Sequence, residues 1–150
     1  MAAPIIAEQS RTIPVAPGDA FARTLAVSLP DIFRRWYGPI PPIKAIRDQH
    51  GDWTQAGETR TIALAGGGTM AETLTDVQPP GRFGYTITTI TGPMALLIDR
   101  VEGAWLFAPA GTGTRVSWRW TMHPRSALSA PAVRLFAVAW RGYAARGLAA

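Results

Sequence analysis

The sequence predicts an α+β fold in which a curved antiparallel sheet of about seven strands packs against a long C-terminal helix. The first observation is a helical pattern over residues 126–150 with Phe136 and Trp140 on one side. The second is a long preceding run of strand-like segments, and the third is a pair of short helical patterns near the N-terminus. Because the aromatic helix must bury its apolar side, and the sheet is the large apolar surface upstream, we expect a cavity between the two.

The N-terminal part is predicted to form one strand and two short helices. Residues 8–15 alternate as a strand, and Asp19 then caps a helix with an apolar stripe at spacings of four. A second short helix is predicted over residues 29–37. The Gly38-Pro39-Ile40-Pro41-Pro42 segment ends it, because proline cannot continue a helix.

From Ile43 onward the sequence has the period of two that is typical of strands. Gly-rich and Pro-rich segments separate the strands, and Gly66-Gly67-Gly68 is a tight connection within a predicted hairpin. After the strand that begins at Ile43, the predicted strands cover residues 57–65, 69–77, 82–91, 98–107 and 114–123.

The composition indicates a globular protein that forms a single domain over residues 1–150. The chain has 47% hydrophobic and 17% charged residues, and its length allows a substantial core. It has no cysteine, which excludes disulfides, thiolate metal sites and a cysteine nucleophile. Neither a signal peptide nor an apolar run long enough to span a membrane is recognisable, so we expect a soluble cytoplasmic protein without stable membrane insertion.

The formal net charge of +5 raises the question of nucleic-acid binding. Fourteen of the fifteen basic residues are arginines dispersed from Arg11 to Arg146, and the one adjacent pair is Arg34 with Arg35. Because no basic block is present, no nucleic-acid partner is expected. The open edge strands permit a homodimer without requiring one.

Residue patterns for metal binding or nucleophilic catalysis are absent from the sequence. His50 falls in a predicted turn and His123 at a strand end, and no His-x-x-x-His motif or carboxylate cluster accompanies them. Gly66-Gly67-Gly68 lacks the following lysine and helix of a phosphate loop, and no Gly-x-Ser-x-Gly motif occurs. The sequence therefore predicts no metal and no cofactor.

The order of elements resembles a known superfamily, and three local sequences fit the resemblance. Residues 13–21 (IPVAPGDAF) are similar to its strand-to-helix entry, residues 70–85 to its central hairpin, and residues 111–118 (GTGTRVSW) to the turn before its last strand. The chain resembles the START-like or SRPBCC helix-grip superfamily, which includes polyketide cyclase/dehydrase-type proteins and lipid-transfer domains. The resemblance implies a helix-grip fold and leaves the chemistry open, because the superfamily is divergent in function.

Strand alternation and helix periodicity predict which side chains face the cavity. Gly103, Ala137 and Ala144 are expected to leave space there. Tyr85 and Asp99 are the expected polar anchors, and the facing of Asp99 stays open because it lies near a strand end, where it would be exposed. Glu72 lies in the segment that is similar to the central hairpin of the superfamily. The side of the sheet to which it points is undetermined, and pairing with an arginine across the strands is the common role of such a glutamate. The predicted ligand-binding residues are Tyr85, Ile87, Asp99, Trp105, Trp118, Trp120, Phe136 and Trp140.

Two functional classes follow from this cavity. One is a binding protein that holds a hydrophobic, lipid-like or polyketide-like ligand. The other is a cyclase/dehydratase-type enzyme in which a carboxylate, Asp99 or Glu72, and Tyr85 transfer a proton. Simple core packing also explains the aromatic side chains, and a partner-binding or stress-related role without a small ligand is then the remaining alternative. Whether the protein is an enzyme stays open. A buried carboxylate with a raised pKa beside Tyr85 would favour catalysis, and a dry aromatic cavity would favour binding.

Overall fold

A computed structural model describes residues 3–26, 33 and 40–149 of the chain. The described residues form a sheet, two α-helices and one short 3₁₀ helix. In chain order these are β1 (Ile5–Ile13), α1 (Pro17–Leu25), β2 (Ile43–His50), β3 (Thr59–Leu64), β4 (Thr69–Gln78), β5 (Arg82–Thr88), the 3₁₀ helix (Pro93–Leu96), β6 (Ile98–Ala110), β7 (Gly113–Pro124) and α2 (Ala130–Ala149).

The strands form one antiparallel sheet in the order β1-β7-β6-β5-β4-β3-β2. Within the described residues this confirms the predicted sheet of about seven strands, the first short helix and the long C-terminal helix. The second predicted helix, over residues 29–37, falls almost wholly outside the described residues. The boundaries differ in places: β5 ends at Thr88 rather than residue 91, because Thr89 (φ 49°) and Gly92 (φ 84°) leave the extended conformation. The prediction that Asp19 caps the first helix is wrong, because α1 begins at Pro17 and Asp19 lies within its first turn.

Helix α2 lies on the sheet with the predicted side buried. Val133, Phe136, Ala137, Trp140 and Ala144 are all buried, at the spacings of three and four that place residues on one side of a helix. The helix begins at Ala130 rather than at residue 126. The Ser129 hydroxyl accepts the Ser126 N–H at 3.1 Å and donates to the Ser126 carbonyl at 2.9 Å, so this segment forms a turn before the helix.

Buried apolar side chains form two clusters. The larger one lies beneath α2 and contains the sheet aromatics Tyr85, Trp118 and Trp120. The smaller one lies beneath α1, where Phe21 makes edge-on contacts with Phe83 and Phe107 at centroid distances of 5.6 and 5.5 Å. Trp105 contacts both clusters.

The prediction that Asp99 faces inward is wrong. Ile98 pairs with Pro124 and Arg100 with His123, and the register shifts between these two pairs. The irregularity inserts one residue into β6, so the alternation that runs back from Phe107 is interrupted beyond Val101. Ile98 is fully buried, whereas the Asp99 side chain is 53% exposed and lies 3.8 Å from the Arg100 guanidinium.

Candidate functional site

A cavity lies between the inner face of the sheet, α2 and the end of α1. About 60 Å³ is open to the centres of water molecules. A single water needs roughly 10–15 Å³ on this measure, so the cavity has room for a few waters. Seven of the eight predicted ligand-binding residues line it: Tyr85, Ile87, Trp105, Trp118, Trp120, Phe136 and Trp140.

Stacked tryptophans from three elements form much of the wall. Trp105 and Trp118 stack at a centroid distance of 4.6 Å with an interplanar angle of 11°. Trp140 of α2 stacks on Trp120 at 5.3 Å and contacts Trp118 at 5.0 Å. Alternate residues of one strand point to one face, so Trp118 and Trp120 of β7 both face the helix. These rings occupy much of the space that the sequence predicted for a ligand.

Tyr85 is the polar centre of the wall. Its hydroxyl oxygen accepts hydrogen bonds from Nε1 of Trp118 and Nε1 of Trp120, both at 2.8 Å. Burial raises the pKa of this hydroxyl well above its usual value, and the nearby Glu72 carboxylate raises it further. The group therefore stays protonated at neutral pH. Because both indoles are donors, the hydroxyl keeps its own proton for a third partner.

Gly103 makes this arrangement possible. Tyr85 of β5 pairs with Gly103 of β6, and Gly103 in turn pairs with Trp120 of β7. A Cβ at position 103 would overlap the ring of Tyr85. The missing side chain lets the tyrosine ring lie across β6 and reach the tryptophans of β7. The space at Gly103 is thus filled by Tyr85, whereas the sequence predicted space for a ligand.

A buried ion pair forms another part of the wall. Arg60 of β3 and Glu72 of β4 are directly opposite each other, with Nε and Oε1 2.5 Å apart. Their side chains are 10% and 4% exposed. Burial raises the pKa of Glu72 from its usual value, and the charge and hydrogen bond of Arg60 act against the shift. This is the arginine partner that the sequence analysis gave as the common role of such a glutamate.

The sequence analysis missed Arg60 and Trp53. The Arg60 guanidinium carbon lies 3.9 Å from the centroid of the Trp53 ring, and both residues line the cavity. Alternation back from the buried Ile62 would have placed Arg60 on the inner face. Trp53 has no comparable sequence signal, because it lies between strands. There the Glu58 carboxylate accepts the backbone N–H of Trp53 at 3.2 Å and that of Thr54 at 2.9 Å.

Two further polar groups complete the description. The Trp140 Nε1 is buried without a hydrogen-bond partner in the part of the chain that the structure describes. His123 contacts the exposed Glu102 at 2.5 Å, and neither residue is among those that line the cavity. Over residues 3–26, 33 and 40–149, no three His, Cys, Asp or Glu side chains cluster in a way that could hold a metal ion.

Solved structures with the same fold include proteins of bacterial and plant origin. Ara h 8.0201 is 18% identical, with a TM-score of 0.62 over 98% of this chain and 99% of its own. A protein from Nitrosospira multiformis is 18% identical, with a TM-score of 0.66 over 97% and 94%. Major latex-like protein 151 from Panax ginseng is 11% identical, with a TM-score of 0.62 over 95% and 98%. At these identities the likeness is one of fold.

Sequence comparison gives the family. No curated protein matches the chain. None of the described helices is long and apolar enough to cross a membrane. Residues 4–150 match the family described as polyketide cyclase/dehydrase and lipid transport, whose members commonly bind hydrophobic ligands. With nearly its whole length matched and the fold shared, the chain belongs to this polyketide cyclase/dehydrase and lipid transport family.

Proposed function

We propose that the protein binds a hydrophobic small molecule, lipid-like or polyketide-like, in the cavity beneath α2. The observation that carries the proposal is an apolar wall, rich in aromatic side chains, whose polar groups are few and convergent, as is typical of small-molecule sites. The Tyr85 hydroxyl, which accepts from two indoles, still has its own proton to donate to a ligand. We therefore expect the ligand to combine rings or chains with an oxygen acceptor such as a carbonyl.

The size of the cavity limits how such a ligand binds. Typical small-molecule pockets enclose about 300–1,000 Å³. The free space of about 60 Å³ admits one end of a hydrophobic molecule. A larger ligand displaces wall side chains, and the stacked Trp105 and Trp118 are the ones whose fluorescence would report the displacement.

The first experiment is native mass spectrometry of freshly purified protein, with organic extraction of any bound molecule. The second is a titration with N-phenyl-1-naphthylamine, a neutral fluorescent probe. Phe136→Leu alters the cavity wall, and Phe107→Leu makes the same change at a similarly buried site that does not line the cavity. We expect several-fold altered probe affinity in the first variant alone. Equal affinities in both variants, or no uptake by the wild type, would contradict the proposal.

The second candidate is the cyclase/dehydratase-type enzyme, and one observation favours it. Glu72 is a buried carboxylate with a raised pKa, it lines the same cavity, and its charge acts on Tyr85. A general acid or base at this position would transfer a proton to or from a bound ligand. The close ion pair with Arg60 is also a sufficient structural role for Glu72, so we rank this candidate second.

Glu72→Gln separates the two candidates. The amide keeps the shape of the side chain and one hydrogen-bond acceptor for Arg60, but it cannot exchange a proton. In the enzyme, the variant would bind a β-polyketone substrate and fail to convert it, whereas Glu102→Gln, on the exposed Glu102, would convert it normally. In a binding protein, wild type and both variants would leave the substrate unchanged.

A further inference from the structure

We propose that the outer face of α2 docks onto an anionic membrane surface. The outer face is defined here as Arg134, Leu135, Val138 and Arg141. All four side chains are exposed, and the two apolar ones are 75% and 66% exposed. The proposal is independent of what the cavity binds, because it rests on the opposite side of the helix.

Charge is distributed unevenly along the chain. Residues 1–102 carry nine basic and ten acidic residues, for a net charge of −1. Residues 103–150 carry six arginines and no acidic residue, for a net charge of +6. The net positive charge of the protein thus comes from β7, α2 and the segment between them. Arg115 and Arg119 alternate with the inward-facing Trp118 and lie on the face of β7 that is turned away from α2. Helix α2 itself carries three arginines and no acidic residue, so complementarity calls for an anionic partner of this helix.

The residues of the outer face are close to one another around the helix. At 100° per residue, Arg134 and Arg141 fall next to each other along one edge of the outer face, two turns apart. Val138 lies in its middle and Leu135 towards the other edge. Among the described residues, neither Arg134 nor Arg141 forms an ion pair. The outer face therefore combines free cations with exposed apolar side chains.

Further exposed leucines lie near the start of the same helix. Leu128 is 93% exposed in the turn before α2, and Leu96 is 77% exposed in the 3₁₀ helix. Arg125 joins the two segments: its N–H donates to the Leu97 carbonyl at 2.8 Å, and its Nε donates to the Ala95 carbonyl at 2.6 Å. Exposed apolar groups gathered in this way are typical of interaction surfaces.

A membrane surface satisfies both chemistries at once. Helices that lie in the bilayer interface bury Leu and Val at the boundary of the acyl chains while Arg contacts anionic headgroups. A nucleic acid would use the arginines but would leave the leucines and the valine in water. An anionic bilayer is therefore the partner that fits the outer face.

The test is co-sedimentation of the full chain with vesicles of phosphatidylcholine alone or with one-third phosphatidylglycerol. Each basic residue near an anionic surface contributes about 1 kcal/mol, so Arg134→Gln/Arg141→Gln should weaken binding about thirty-fold. Arg47→Gln/Arg115→Gln makes the same charge change at exposed positions of β2 and β7. We expect the wild type and this control to sediment with the anionic vesicles, and neither to sediment with phosphatidylcholine alone. An equal loss in the two variants, or no sedimentation of the wild type, would overturn the proposal.

The apolar part of the surface has its own test. Leu135→Ser should weaken sedimentation at least several-fold, whereas Ile6→Ser, at a position 57% exposed on β1, should not. Two results would give the outer face to another occupant and overturn the proposal. One is binding to a DNA duplex that needs the arginines and not Leu135, without vesicle binding. The other is a dimer in size-exclusion chromatography with light scattering that Leu135→Ser converts to monomer.

Discussion

Replacing Tyr85 by Phe tests the polar centre of the cavity wall. The change removes one oxygen atom and keeps the ring that lies over Gly103. That oxygen is the acceptor for the indole N–H groups of Trp118 and Trp120, each at 2.8 Å. The two tryptophans are 5% and 6% exposed, so bulk water does not reach them, and a water in the cavity would have to accept from both N–H groups to replace the lost oxygen.

The magnitude follows from the two stranded donors. A buried donor without a partner costs about 1–3 kcal/mol, so two of them cost about 2–6 kcal/mol. The substitution also removes the desolvation of the hydroxyl itself, which lowers the net effect. We therefore expect Tyr85→Phe to reduce the free energy of unfolding by about 2–4 kcal/mol, a large share of the stability of a domain of this size.

The assay is equilibrium unfolding in urea, followed by tryptophan fluorescence, with Tyr143→Phe as the matched control. Tyr143 is also buried, but in the described part of the chain no hydrogen bond joins its hydroxyl to another residue. The control should lose less than about 1 kcal/mol. If the two variants unfold at the same urea concentration, the reasoning from Trp118 and Trp120 is refuted.

Three further predictions concern the same wall. Glu72 has a raised pKa in the folded state, so the free energy of unfolding should fall as the pH rises above 4.5. Urea midpoints measured between pH 4.5 and 8 should decrease in the wild type and decrease less in Glu72→Gln. Gly103→Ala should lower the free energy of unfolding by about 1–3 kcal/mol in thermal unfolding, because its Cβ would overlap Tyr85. Gly57→Ala is the comparison: its Cβ would meet open space but its φ is 95°, so its cost reports backbone strain without overlap. Burial raises the pKa of both Tyr85 and Tyr143, so fewer than all three tyrosines should ionise in the folded protein at pH 11. The absorbance at 295 nm, which reports ionised tyrosine, should reach its full value when the protein unfolds.

The fold could be predicted because turn chemistry and period-two alternation are local. Gly66-Gly67-Gly68 separates β3 from β4, and the aromatic alternation of Trp118 and Trp120 gave the inner face of β7 correctly. Alternation failed at Asp99 because an irregularity in pairing depends on the partner strand and leaves no mark in the sequence of β6 alone. One inserted residue changed the face of a proposed anchor.

The apolar lining of the cavity could be predicted from the sequence, and its polar contacts less well. Apolar side chains at inward positions line the cavity wherever the strand is regular, as Ile87 and Trp118 do. Polar partners depend on how a strand meets its neighbouring strands and loops in the folded protein. Neither the reach of Tyr85 across Gly103 nor the contact of Arg60 with Trp53 follows from one strand read by itself. The distribution of charge could have been read from the sequence, since residues 103–150 lack acidic residues.

The order of strands also has a consequence for how the chain folds. Within the described residues, each pairing from β2 to β7 joins strands that follow each other in the chain, whereas Ile5 of β1 pairs with Met122 of β7. Hairpins close over short loops, but this last pairing requires the ends of a very long loop to meet, and its entropy cost grows with length. While β1 is not yet docked, β7 is an open edge with unpaired backbone groups. Strand β1 therefore covers the edge of β7, the last strand in the chain, and a variant that lacks residues 5–13 should self-associate through β7.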